Sequence, residues 1–203
     1  MRDKKHWYDG RFYDKLIAPN QDRLFGIIDS MIEKESRVVD IGCGTGRFCF
    51  SISYKCNEVI GLDLSSKNIN VAKSNLLKSG LKNISFIHGD AKNINEKINK
   101  KFDYAVLTYM IHELDLSERN NVLKQAKQSA EYLIIGDYIS PQPKNHIGLL
   151  NKIVEFVAGR EHYSNFKSFQ KNGGLKNLAE INNLKIVKEV TNNPEGSHIV
   201  LLK

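Results

Sequence analysis

The 203-residue chain has only three cysteines, Cys43, Cys49 and Cys56, an odd number without metal-ligand spacing. That argues against a disulfide framework and a zinc site and favours reduced, mostly buried thiols. No apolar run approaches the ~20 residues needed to span a bilayer. The opening MRDKKHWYDG is charged and aromatic, with no apolar stretch behind it that could serve as a signal peptide. A cytoplasmic protein without a membrane span is therefore expected. Arginine is scarce: the net charge of +7 is carried by lysines scattered among asparagines along the whole chain. Bidentate phosphate and base contacts favour arginine, so nucleic acid is a possible partner but not the favoured one. There is no internal repeat, no low-complexity linker and no compositional break, which implies one domain over residues 1–203. With 41% hydrophobic and 26% charged residues, that domain has enough apolar content for a core.

What is present alternates between two periods. Arg37–Ile41, residues 58–62, Ile84–His88, 104–108 and 132–137 are apolar runs rich in β-branched residues and read as strands. Between them, Ile69, Ala72 and Leu76 share a helical face, as do Leu116, Leu123, Ala126 and Ala130. Leu24, Ile27, Ile28, Met31 and Ile32 mark an amphipathic helix ahead of the first strand. Strands alternating with helices imply right-handed crossovers and a parallel sheet covered on both faces. Residues 184–190 and 198–202 are two further strands with no room for a helix between them, so the chain closes in an antiparallel hairpin. The predicted fold is α/β, a Rossmann-like doubly wound sheet of seven mostly parallel strands.

The first strand ends in Asp40-Ile41-Gly42-Cys43-Gly44-Thr45-Gly46-Arg47. Glycines there allow a tight turn and let a ligand lie against the main chain. The spacing GxGxG lacks the third glycine of the dinucleotide pattern GxGxxG. An acid two residues before the first glycine would repel a pyrophosphate but suits an ammonium group. Asp63 ends the second strand at the interval where such folds place an acid for ribose hydroxyls; a helix cap is the alternative role, which Ser65 can fill instead. Asp90, in Gly89-Asp90-Ala91, follows the third strand. Three acids at three successive strand ends point into one crevice.

This pattern resembles the class I S-adenosylmethionine-dependent methyltransferases. The resemblance covers most of the chain, with its specific motifs between Val38 and Glu113. It implies S-adenosylmethionine as cofactor and no metal. Asp40 would reach the methionine amino group, directly or through water, Asp63 the ribose hydroxyls and Asp90 the adenine amine, while Gly42, Cys43, Gly44, Leu64 and Ala91 would also bind the cofactor. Thr108 would lie beneath the methyl group. Residues 1–20, densely aromatic, would form a lid in which Tyr13 stands near the methionine carboxylate. The segment after the fourth strand lacks the Asn/Asp-Pro-Pro-aromatic tetrapeptide of amino-group methyltransferases acting on DNA and many acting on RNA. It is similar instead to the small-molecule branch that includes ubiquinone/menaquinone C-methyltransferases, where a His stands at the place of His112. The Pro-Gly-Gly turn many of these relatives carry is replaced here by Gln128-Ser129-Ala130-Glu131.

The acceptor side rests on His112 and on an insert over residues 139–174. The insert holds an amphipathic helix with Ile147, Leu150, Ile153, Val154 and Val157, followed by Arg160, His162 and Tyr163. Inserts at the carboxyl end of such a sheet commonly shape the substrate pocket. His112, His162 and Tyr163 are the expected catalytic residues, with a small molecule as acceptor. An RNA or protein methyltransferase and a non-catalytic cofactor-binding domain are the rival readings.

Overall fold

The computed structural model describes residues 18–192 and 196–203. β1 (Arg37–Ile41) leads through the glycine loop to α2 (Arg47–Ile52), and helix α1 (Ala18–Asp29) stands before it. β2 (Glu58–Asp63) is followed by α3 (Ser66–Ser79), where the Ser65 hydroxyl accepts from the Asn68 amide and Gly80, at φ 70°, ends the helix. β3 (Ile84–His88) leads through a single 3₁₀ turn into α4 (Ile94–Lys97), and β4 (Phe102–Thr108) through another into α5 (Leu116–Ser129). Asp115 caps α5 by accepting from the Glu118 amide at 2.8 Å. β5 (Ala130–Tyr138) precedes three helices, α6 (His146–Ala158), α7 (Arg160–Lys171) and α8 (Gly174–Ile181). β6 (Ile186–Asn192) and β7 (Ser197–Leu202) close the chain.

The sheet order is β3-β2-β1-β4-β5-β7-β6, with the first five strands parallel. β7 lies antiparallel between β5 and β6, the expected seven-stranded arrangement with its hairpin. Strand alternation divides the core in two. On β4, Tyr104 and Val106 meet the layer of α1, α2 and α3, which contributes Leu24, Phe48 and Ile69. Ala105 and Leu107 meet the opposite layer, with Val122 and Leu123 of α5 and Leu175 and Leu178 of α8. Strand order reverses between β1 and β4, so a crevice opens at their carboxyl ends.

Two expectations change in detail. Ala130 begins β5 rather than ending α5, and Leu116 is exposed because it is the first residue after the cap. The apolar positions of α6 face outward: Leu150, Ile153 and Val157 are exposed, while Gly148 and Glu155 are buried. Among the described residues, no helix is long and apolar enough to cross a membrane.

Candidate active site

A cavity of about 220 Å³ occupies the crevice. Asp40, Gly42, Cys43, Gly44, Asp63, Leu64, Asp90, Ala91 and Thr108 all line it, although they come from four strands and the loops that follow. Tyr13 and the lid over residues 1–17 lie outside the described residues.

Asp40 is buried, with its Oδ2 accepting from the Cys49 thiol at 3.3 Å and its Oδ1 without a hydrogen-bond partner among the described residues. Burial raises its pKa from 3.8 to about 7; the thiol hydrogen bond opposes that rise and the neighbouring Asp63 charge adds to it. An orphaned, buried carboxylate oxygen beside a cavity is a place for a cation or a donor to bind. The loop beside it needs its glycines. Gly42 has φ 80° and a β-carbon there would stand 3.0 Å from Met110 Sδ. Gly46, at φ 84°, would drive one into the Phe86 ring.

Asp63 tightens this loop from the neighbouring strand. Its Oδ2 accepts from the Gly44 amide and its Oδ1 from the Ser65 amide, both at 2.8 Å. Ser65 performs the helix capping, and Asp63 lines the cavity. Each carboxylate oxygen can accept more than one hydrogen bond, so these amides and a ligand hydroxyl are compatible partners. Asp90 Oδ1 accepts from the Lys92 amide at 2.9 Å, and Lys92 Nζ lies 3.7 Å from Asp90 Oδ2 and 2.8 Å from Glu118 Oε1. Lys92 and Glu118 line the same end of the cavity.

The other end contains residues that the sequence did not single out. Gln21 and Phe25 reach it from α1, and Arg47 and Phe48 from α2. Arg47 gives one guanidinium nitrogen, Nη2, to Asp22 at 2.7 Å; its Nη1 is buried without a hydrogen-bond partner among the described residues. Only the pairing of helices α1 and α2 reveals this donor, and no sequence motif announces it. Tyr109 and Met110 form the floor past Thr108. Tyr109 has φ 49°, a left-handed turn that swings the chain out of the sheet, and its amide donates to the Gly136 carbonyl at 2.8 Å.

None of His112, His162 and Tyr163 lines the cavity. His112 is buried just behind its floor. Its Nδ1 lies 2.6 Å from Asp137 Oδ1 and its Nε2 lies 3.4 Å from Glu155 Oε1. Burial alone pushes the imidazole toward neutrality, but the Asp137 and Glu155 carboxylates outweigh it and raise the pKa well above the ordinary value. Asp137 Oδ2 also accepts from the Ile111 and His112 amides. Arg119, buried on α5, donates to the Ile111 carbonyl at 3.0 Å and the Asn165 carbonyl at 2.7 Å. The turn after β4 is thus fixed to β5, α5, α6 and α7 together. His162 is buried on α7, and Tyr163 is half-buried with its ring edge-on to Phe156 at 5.5 Å.

Comparison with known proteins agrees with this geometry. A family model described as a methyltransferase domain matches residues 32–195. An uncharacterized methyltransferase of Bacillus subtilis, YcgJ, is 26% identical over 132 residues, 64% of this chain and 52% of its own length. A probable cobalt-precorrin-6B C(15)-methyltransferase (decarboxylating) of Saccharolobus solfataricus is 42% identical over 91 residues, 43% of this chain and 46% of its own. The chain therefore spans about half the length of these curated relatives. Magnesium protoporphyrin IX methyltransferase from Synechocystis PCC 6803, solved with SAH bound, superposes with a TM-score of 0.67 at 17% identity, over 99% of this chain and 89% of that one. Together with the crevice at the β1/β4 reversal, the match over residues 32–195 settles the kinship: the chain belongs to the methyltransferase-domain family.

Proposed function

We propose that the protein binds S-adenosylmethionine in this cavity and transfers its methyl group to a small-molecule acceptor. The observation that carries the reading is the unpartnered, buried Oδ1 of Asp40, in a cavity also lined by Asp63 and Asp90. Asp40 suits the methionine ammonium and Arg47 Nη1 the methionine carboxylate. The Asp63 carboxylate suits the ribose hydroxyls, and Asp90 suits the adenine amino group between Leu64 and Ala91. When bound, the sulfonium supplies a methyl carbon already activated for displacement. The chain's remaining task is to hold an acceptor in line with that carbon and to keep water out; such positioning contributes up to ~7–11 kcal/mol.

In this reading His112 is a positioning residue. A buried imidazolium between two carboxylates has no lone pair with which to take a proton, but it locks the turn carrying Tyr109 and Met110. His162, buried on α7, and Tyr163, packed edge-on against Phe156, stand outside the cavity lining and are assigned no contact with the acceptor. The likeness of the segment after β4 to the quinone C-methyltransferase branch supports a small-molecule acceptor, as do the named activities of the cobalt-precorrin and protoporphyrin enzymes.

Calorimetry with the purified chain tests the cofactor: S-adenosylmethionine and S-adenosylhomocysteine should bind and NAD should not. Tritiated-methyl transfer into a cell extract, fractionated into small molecules, RNA and protein, tests the acceptor. Tight NAD binding without response to either adenosyl ligand would overturn the cofactor assignment. Label confined to RNA or protein would overturn the acceptor class.

A further inference from the structure

Helix α6 is built the wrong way round for a helix that merely covers a core. Its inward positions include Gly148 and Glu155, whereas Leu149, Leu150, Ile153, Phe156 and Val157 are between 49% and 67% exposed. At 3.6 residues per turn these five side chains fall within an arc of about 120° centred on Ile153. Tyr163 of α7 extends the patch through its contact with Phe156.

The rim of the patch is cationic. Lys152 is exposed about 40° outside the arc, Lys167 Nζ stands 4.7 Å from the Tyr163 ring centroid, and Lys144 and Arg160 are exposed at the two ends of α6. Glu161 is the one exposed acid on the two helices, because Glu155 is buried against His112. A contiguous apolar patch on an exposed helix marks a contact surface, and its charge indicates the partner. A second copy docking here would bring two cationic rims together on a chain whose net charge is already +7. An apolar stripe with aromatic and lysine neighbours is the arrangement of helices that lie in the plane of a bilayer interface, and anionic headgroups attract such a rim.

We infer that α6 and α7 form a docking surface for anionic phospholipid bilayers. α6 lies along the headgroup plane with Leu149, Leu150, Ile153, Phe156 and Val157 at the acyl boundary, and Lys144, Lys152, Arg160 and Lys167 among the headgroups. This surface is independent of the methyl-transfer reading.

The test is co-sedimentation of the full chain with vesicles of phosphatidylcholine alone and of phosphatidylcholine mixed with phosphatidylglycerol. Binding to the mixed vesicles is expected to exceed binding to neutral ones by at least about tenfold and to weaken with salt. Leu150→Asn combined with Phe156→Asn should lower partitioning roughly tenfold or more. Lys152→Gln and Lys167→Gln should each cost about fivefold on mixed vesicles. Lys124→Gln with Lys127→Gln, exposed on α5, removes charge elsewhere and should cost little. All these side chains lie on the surface, and unchanged circular dichroism and thermal unfolding confirm that each variant is folded. Absence of binding to mixed vesicles would overturn the assignment. So would equal losses from the α5 lysines, or a dimer that the Leu150/Phe156 variant dissolves while vesicle binding stays unchanged.

Discussion

Replacing Asp40 by asparagine should stabilise the ligand-free protein while weakening its hold on the cofactor. The carboxyl is buried, and its pKa rises from 3.8 to about 7, so the folded state holds its proton more tightly than the unfolded chain does. The sign follows from linkage. Stability associated with a raised pKa is fully present below the unfolded value and is lost as pH rises through the folded one. The window here runs from about pH 4 to about pH 7, and the full displacement corresponds to a ceiling of about 4 kcal/mol. The substituted amide would carry no charge, could still accept from the Cys49 thiol and would escape that cost. Thermal unfolding of both proteins at about pH 8 should then favour Asp40→Asn by up to about 10 °C. At about pH 5 the advantage should shrink by more than half. The same variant should bind S-adenosylhomocysteine roughly 10- to 150-fold more weakly, having lost a charge-assisted contact. A variant no more stable than wild type at pH 8, with a difference that does not move with pH, would refute the role given to burial. Unchanged cofactor affinity would refute the ammonium assignment.

Asp63→Ala should weaken S-adenosylhomocysteine binding about 30- to 150-fold by calorimetry, while circular dichroism stays unchanged. Arg47→Gln should weaken S-adenosylhomocysteine by about tenfold but leave methylthioadenosine, which lacks the amino-acid carboxylate, unaffected in a parallel titration. Titrated across pH, the wild-type affinity for S-adenosylhomocysteine should fall about tenfold between about pH 8 and pH 6 as Asp40 takes up its proton, and Asp40→Asn should flatten that profile. His112→Gln should cost about 3–5 kcal/mol in denaturant unfolding, because it leaves Asp137 and Glu155 buried without their cation. The stability His112 contributes is fully present below its ordinary pKa and is lost only as pH rises through the raised value. Wild type should therefore keep this contribution at neutral pH and lose it on the alkaline side.

The parts of this molecule that follow a period or a motif were legible in its sequence. β1 to β5 show as apolar runs, the closing hairpin as two strands too close for a helix, and the cofactor end as acids at strand ends. Those acids converge because parallel strands all finish on the same edge of the sheet. Arg47 has no cue as a proposed ligand because Asp22 holds one guanidinium nitrogen while the other is buried without a hydrogen-bond partner among the described residues, a tertiary arrangement without a motif. Tyr109 escaped because a positive φ at a tyrosine has no compositional cue. His112 was visible as a residue but not in its setting, since Asp137 and Glu155 stand 25 and 43 positions further along the chain. The apolar spacing of α6 was legible too; the outward direction of that face was not, because periodicity fixes which residues share a side and says nothing about which side is covered.

The position of β7 has a consequence for how the chain comes into being. Residues 197–202 form an interior strand, bonded on one side to β5 and on the other to β6. During synthesis β1 to β5 can associate as they emerge, but β6 has no partner until β7 slides in between. Until then the β5 edge that will receive β7 stays open to any other extended strand. A chain lacking residues 197–202 would still carry the residues that line the crevice, and yet would present that open edge to any extended strand it met.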